Sequence, residues 1–302
     1  MPPYRFVQVD VFTNRPFGGN QLAVFTDARG LSAEQMQTLT REMNYSESTF
    51  VLPPGMPGAV KRVRIFTPAS EMPFAGHPTI GTTYVLASEG ALPLTGETTT
   101  VSLQLKLGLL PVTVVASGGQ PEFVWMEQRP AQFQAAPFSR AEVAAALGVK
   151  EADLAAEGPL EIVSTGVPFL IVTLRSLEAV RQAHADSAAL QKLFAGQAEL
   201  LMPYLFTRET EEATFPAHAA HARMFCGHVL DLPEDAATGS AAGPLGAYLL
   251  RHQLIPPGRF IVEQGYEMRR PSLLHVEVNE AGKIMVGGQT VKVGEGVIYV
   301  ET

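Results

Sequence analysis

The chain has 302 residues, 46% of them apolar and 17% charged, with a net charge of −8 and one cysteine. The length suits two domains with a substantial core, and the acidic balance with no Lys/Arg run argues against nucleic-acid binding. A single cysteine excludes an internal disulfide and suits a reducing, cytoplasmic compartment; no stretch of 18 apolar residues or signal-like N-terminus points to a membrane or export.

Residues 4 to 12 alternate Val7, Val9 and Val11 with Phe6, Gln8 and Asp10, the pattern of a strand. A turn at Pro16-Phe17-Gly18-Gly19-Asn20 precedes a second strand, Leu22 to Phe25. Ser32 and Gln35 form a capping box for a helix carrying Met36, Leu39 and Met43 on one face. Strands follow at Thr49 to Leu52, Arg62 to Phe66, Thr100 to Leu105 and Pro111 to Val115. Gly118-Gly119 is the expected domain junction. Beyond it lie a strand at Glu122 to Met126 and a helix capped by Ser139 and Glu142 and closed by Gly148. Ile162 to Ser164 and Val167 to Leu174 are strands, and Leu177 to Phe194 is one helix. Further strands are Leu201 to Phe206, Ala222 to Phe225, Phe260 to Glu263, Leu273 to Val278, Lys283 to Val286 and Val297 to Val300. Many short strands in a repeated order predict an α+β fold.

Two segments share one design: FTPASEMPFAGHPTIGTTYVL, residues 66 to 86, and FCGHVLDLPEDAATGSAAGPLGAYLL, residues 225 to 250. Each runs from an apolar stretch through a Pro-bearing acidic turn into small residues that open a helix. In the first, Gly76 permits close backbone approach, Pro78 suits a first helical turn, and His77 can hydrogen-bond or carry a proton. In the second, Asp235 is a potential acid/base, and Thr238, Gly239 and Ser240 offer hydroxyls and N–H groups to a carboxylate. Taken singly, each set reads as ordinary helix-capping chemistry. Their pairing points instead to proton transfer beside a carboxylate. Glu47, in NYSESTF between the first helix and a strand, would sit at the rim of a core, where desolvation favours proton exchange near neutral pH. Position alone does not separate it from an ordinary loop acid. Asn20 either lines the site or simply forms its turn.

Other chemistries lack their residues. There is no G-x-G-x-x-G, Walker, HExxH or CxxC pattern. His218 and His221 read as a polar loop, and Cys226 as a buried core thiol.

The runs VDVFTNRPFGGNQLAVF, NYSESTFV, RIFTPASEMPFAGHPTIG and PEDAATGSAAGPL, spread over nearly the whole chain, resemble the PhzF family of phenazine-biosynthesis-like proteins, which has the diaminopimelate epimerase fold. The resemblance implies two similar domains, each a mixed sheet around a central helix, with the active site in the cleft between them. The expected domains are 1–117, to which a last strand near 292–302 returns, and 118–291. It implies catalysis by the residue at Glu47, assisted by those at His77, Asp235 and Ser240, without cofactor or metal. The model reaction is isomerisation of 2,3-dihydro-3-hydroxyanthranilate by a proton shift. Thiol racemisation is disfavoured, because neither AGHP nor DAATGS holds a cysteine; Ala236 stands where proline is frequent in the family. The expected function is thus a cofactor-independent isomerase of a small carboxylated, cyclic metabolite. The alternatives are a thiol-free amino-acid epimerase or racemase and a non-catalytic ligand-binding protein. A homodimer is expected from the family and the low charged fraction.

Overall fold

The structure is a computed structural model and describes residues 2–197, 201–212, 219–227 and 232–301. It is a mixed α/β protein in which strands dominate. The chain divides into two compact units, Met1–Glu127 with Gly287–Thr302, and Gln128–Val286.

In the first unit the strands are β1 (Pro3–Val11), β2 (Asn20–Phe25), β3 (Glu47–Leu52), β4 (Lys61–Phe66), β5 (Glu71–Met72), β6 (Thr98–Leu105), β7 (Gly108–Ser117) and β8 (Gln120–Glu127). They are joined by β18 (Thr290–Tyr299), which lies antiparallel to β1. β2 pairs parallel with β3, and β4 parallel with β6. Helix α1 (Ala33–Met43) starts with both capping-box bonds, Gln35 N–H to Ser32 Oγ at 3.2 Å and Ser32 N–H to Gln35 Oε1 at 2.9 Å. It ends on Asn44 at φ 52°. Its apolar face, Met36 and Leu39, meets Phe25, Phe50 and Phe66 on one face of the sheet. Phe25 and Phe50 stack at 4.7 Å. The other face receives α2 (Gly76–Ser88), which is buried almost all round and touches β1, β2, β3, β7, β8 and β18. A helix so enclosed cannot be amphipathic. Its threonines satisfy themselves: Thr79 and Thr83 donate to the carbonyls four residues back, and Thr49 Oγ1 meets Thr82 Oγ1 at 2.7 Å. Gly81 lets α2 sit against the strands, since a Cβ there would lie 2.7 Å from Leu22 and Val11. Gly118 and Gly119, the expected junction, form the turn of the β7–β8 hairpin, at φ 57° and 77°.

The second unit holds β9 (Gln132–Ala135), α3 (Arg140–Ala146), a 3₁₀ turn Glu151–Asp153, β10 (Glu161–Ser164), β11 (Pro168–Thr173), α4 (Leu177–Gln182) and α5 (Ser187–Leu193). After these come β12 (Met202–Thr207), β13 (Ala220–Phe225), β14 (Glu234–Asp235), α6 (Gly239–Arg251), β15 (Gly258–Gln264), β16 (Ser272–Val278) and β17 (Ile284–Gly288), the last running across the boundary between the units. It repeats the pairing scheme of the first unit: β11 parallel to β12, β12 antiparallel to β13, and β13 parallel to β15. Helix α6, like α2, is buried along nearly its whole length.

Two expectations are corrected. The single helix over Leu177 to Phe194 is broken at Ala183. Asp186 caps a new helix by accepting from Ala189 N–H at 2.7 Å, and His184 and Asp186 N–H bond the carbonyls of Leu147 and Ala146. The last strand starts at Thr290, not Val297, because its partner β1 supplies a ladder that its glycines and charges hide from pattern reading.

Candidate active site

In the first unit, β2, β3 and α2 bring four of the expected residues together. Glu47 is the first residue of β3, paired beside Leu22 of β2, and not a loop acid. Its side chain shares a face with Thr49, towards α2. His77, in the first turn of α2, is buried, and its Nε2 lies 3.4 Å from Glu47 Oε2. On the far side of the ring, Asn20 Nδ2 meets His77 Nδ1 at 3.2 Å, while Asn20 Oδ1 accepts from Ser46 Oγ at 3.0 Å. Asn20 thus braces the ring from behind and leaves Nε2 facing the Glu47 carboxylate. Burial pulls the His77 pKa from 6.5 to about 3, against a smaller opposing contribution from the Gln21 backbone, so the imidazole is neutral at ordinary pH. Gly76 opens α2 after Ala75, which places no side chain on the helix amides. The positive end of the helix is therefore not capped by that side chain. Asp10, buried in β1, holds the approach to Asn20 by accepting Phe17 N–H at 2.7 Å.

In the second unit, β14 and α6 bring the other four together. Asp235 is buried, and Thr238 Oγ donates to its Oδ2 at 2.7 Å. Thr238 holds the N-cap position of α6 without capping it, and Gly239 and Ser240 form the first helical turn. Ser240 is half-buried. Sequence reasoning missed three residues here and in the first unit: Ser46, Tyr204 and Gln264. Tyr204 O–H donates to Gln264 Oε1 at 3.0 Å, and Gln264 Nε2 donates to the Asp235 carbonyl at 2.8 Å.

His221 is not in a polar loop. It lies fully buried on β13, with Nδ1 2.8 Å from Glu263 and Nε2 2.9 Å from Glu267. Burial alone would lower its pKa; the two carboxylates outweigh that and raise it to about 9. Beside it, Arg223 forks onto Glu234 and donates to three carbonyls, those of Val180, Arg181 and Ala183, around the end of α4. This cluster is an internal staple. His218 lies outside the described residues. Cys226 is buried, as expected. Among the described residues no three His, Cys, Asp or Glu side chains are grouped as a metal ion would need, and no helix is long and apolar enough to cross a membrane.

Comparison with known proteins gives this geometry a context. The profile of the phenazine biosynthesis-like protein family matches residues 9–296. The trans-2,3-dihydro-3-hydroxyanthranilate isomerase of Pseudomonas aeruginosa is 36% identical over 309 residues, covering 98% of this chain and 99% of that one. The crystal structure of a Bacillus anthracis phenazine biosynthesis protein of the PhzF family is 28% identical, with a TM-score of 0.87 over 99% of this chain and 100% of that one. A probable proline racemase from Agrobacterium radiobacter, 15% identical and covering 99% and 93% of the two chains, shares the fold with a TM-score of 0.65.

Proposed function

We propose that this chain, which belongs to the phenazine biosynthesis-like family and is an isomerase, works by general acid/base proton transfer on a small cyclic carboxylate. The observation that carries the reading is the buried Glu47 carboxylate 3.4 Å from the Nε2 of a neutral His77. A carboxylate at the edge of an apolar core is the base of the pair. Glu47 takes a proton from a carbon next to a conjugated, carboxylate-bearing centre and returns it to another carbon of the same system. The electron pair left by the first C–H bond moves through the double bonds to the second carbon, so the reaction is balanced without an oxidant or cofactor.

His77 cannot serve as a second base while its ring resists protonation. It acts as a neutral polar group, braced by Asn20, that hydrogen-bonds Glu47 or a polar group of the substrate. The amides at Gly76 in one unit and at Gly239 and Ser240 in the other suit a substrate carboxylate at helix N-termini. In this reading Asp235 and Thr238 orient the substrate's polar substituent, and the substrate resembles the 2,3-dihydro-3-hydroxyanthranilate of the Pseudomonas relative. The enzyme is further read as a cytoplasmic homodimer that needs no metal.

The test separates chemistry from binding. In E47Q, conversion of 2,3-dihydro-3-hydroxyanthranilate is lost, while affinity for 3-hydroxyanthranilate, an aromatic analogue with no ring hydrogen to shift, stays within a few-fold of wild type. Loss of both together would make Glu47 a structural residue.

A further inference from the structure

Gln264 ends β15, fully buried, and every hydrogen-bonding position of its amide is occupied. Its Oε1 accepts from Tyr204 O–H at 3.0 Å and from Thr238 N–H at 3.1 Å. Its Nε2 donates to the Asp235 carbonyl at 2.8 Å and to Thr238 Oγ1 at 3.0 Å. Two of these partners fix the amide's orientation by themselves. A backbone N–H can only donate, so the oxygen must face Thr238 N; a backbone carbonyl can only accept, so the NH2 must face Asp235 O. Burial, reinforced by the charge of Asp235, pushes the Tyr204 phenol far above its usual range and keeps it a donor.

The consequence falls on Thr238. Its hydroxyl receives a hydrogen from Gln264, so its own hydrogen goes to the remaining acceptor, Asp235 Oδ2, 2.7 Å away. A threonine at the head of a helix ordinarily turns its oxygen toward the helix amides. This one is drawn off, and no side chain caps α6. The amide is itself anchored, because Gln264 pairs with Ser272 of β16 and Ala222 of β13.

We propose that Gln264 is a positioning residue for the reaction: by fixing the direction of the Thr238 hydroxyl it sets the Asp235 carboxylate and keeps the first amides of α6 open to the substrate. The inference rests on the reading of Asp235 given above, and on a residue that no local motif marks.

The decisive variants are Q264M, T238V, T238S and Q264E, with D235N as reference and 2,3-dihydro-3-hydroxyanthranilate as substrate. Q264M and T238V each lower kcat by about ten- to a hundredfold, the span of one lost hydrogen bond to a charged group, with a smaller change in KM. T238S, which keeps the hydroxyl, restores most of the rate. The double variant Q264M/T238V is no slower than T238V, because Gln264 acts through Thr238. Losses that multiply, or a Q264M enzyme that loses only thermal stability, would overturn the inference. If D235N turns over normally, Asp235 leaves the reaction and the inference goes with it; if D235N is slow and Q264M fast, only the inference fails. A crystal structure of Q264E gives a readout independent of any substrate and of turnover. That variant keeps the shape but replaces the donor with an acceptor, so Thr238 Oγ is expected to turn from Asp235 to residue 264. An unchanged Thr238–Asp235 bond contradicts the proposal.

Discussion

The N-termini of α2 and α6 are built on one plan and finished in opposite ways. At α2, Glu47 and His77 lie buried side by side, with the imidazole held from behind by Asn20 and stripped of its charge by burial. At α6, Asp235 is fastened through Thr238 into a network closed by Gln264 and Tyr204. A proton carrier must exchange partners during the reaction, whereas an orienting group must keep them. In the proposed reaction the first half is the carrier and the second the orienter.

The largest expected effect comes from removing the carrier. E47Q should lower kcat by about 10²- to 10⁴-fold, the usual contribution of a general acid/base, in a steady-state assay with the dihydro substrate. Next is the staple behind the second half. H221L leaves Glu263 buried opposite a lost cation, and urea unfolding should show a loss of about 3–5 kcal/mol. The same histidine has a pH signature. Its folded pKa is raised from 6.5 to about 9, so its contribution to stability is complete below pH 6.5 and disappears as the pH rises through 9. A wild-type melting temperature that declines over this window, and a flatter profile in H221L, would confirm the sign. G81A should cost about 1–3 kcal/mol by pushing α2 off β1 and β2, with little change in kcat for the molecules that remain folded. N20A frees the ring of His77, and should slow turnover about tenfold while leaving the Asp235 half intact. The smallest expected effect is none: with its pKa near 3, His77 should give no inflection around pH 6.5 in its ring NMR shifts. A titration there would break the contrast between the halves.

Local chemistry was legible from the sequence. The capping boxes at Ser32 and Ser139 appear where their spacing puts them, because an N-cap and its partner lie three residues apart in the chain. The paired helix starts at Gly76 and Gly239 were also visible, as small residues after an acidic turn. What escaped was long-range. Tyr204 meets Gln264 across 60 residues, and His221 finds its two carboxylates 42 and 46 residues away. A buried histidine on a strand is indistinguishable from a loop histidine until those partners are known. The break between α4 and α5 escaped because Asp186 reads equally well as a mid-helix polar residue, and the carbonyls that hold the turn are those of Ala146 and Leu147, at the end of α3 and its C-cap.

The division of labour is tested most directly by proton NMR of 2,3-dihydro-3-hydroxyanthranilate in heavy water with wild type, E47Q and D235N. The wild type is expected to isomerise the ring, D235N to do so more slowly, and E47Q to leave both the double bonds and every carbon-bound hydrogen unchanged. Isomerisation or deuterium uptake by E47Q at the wild-type rate, with D235N inert, would contradict the account and give the proton to the second half.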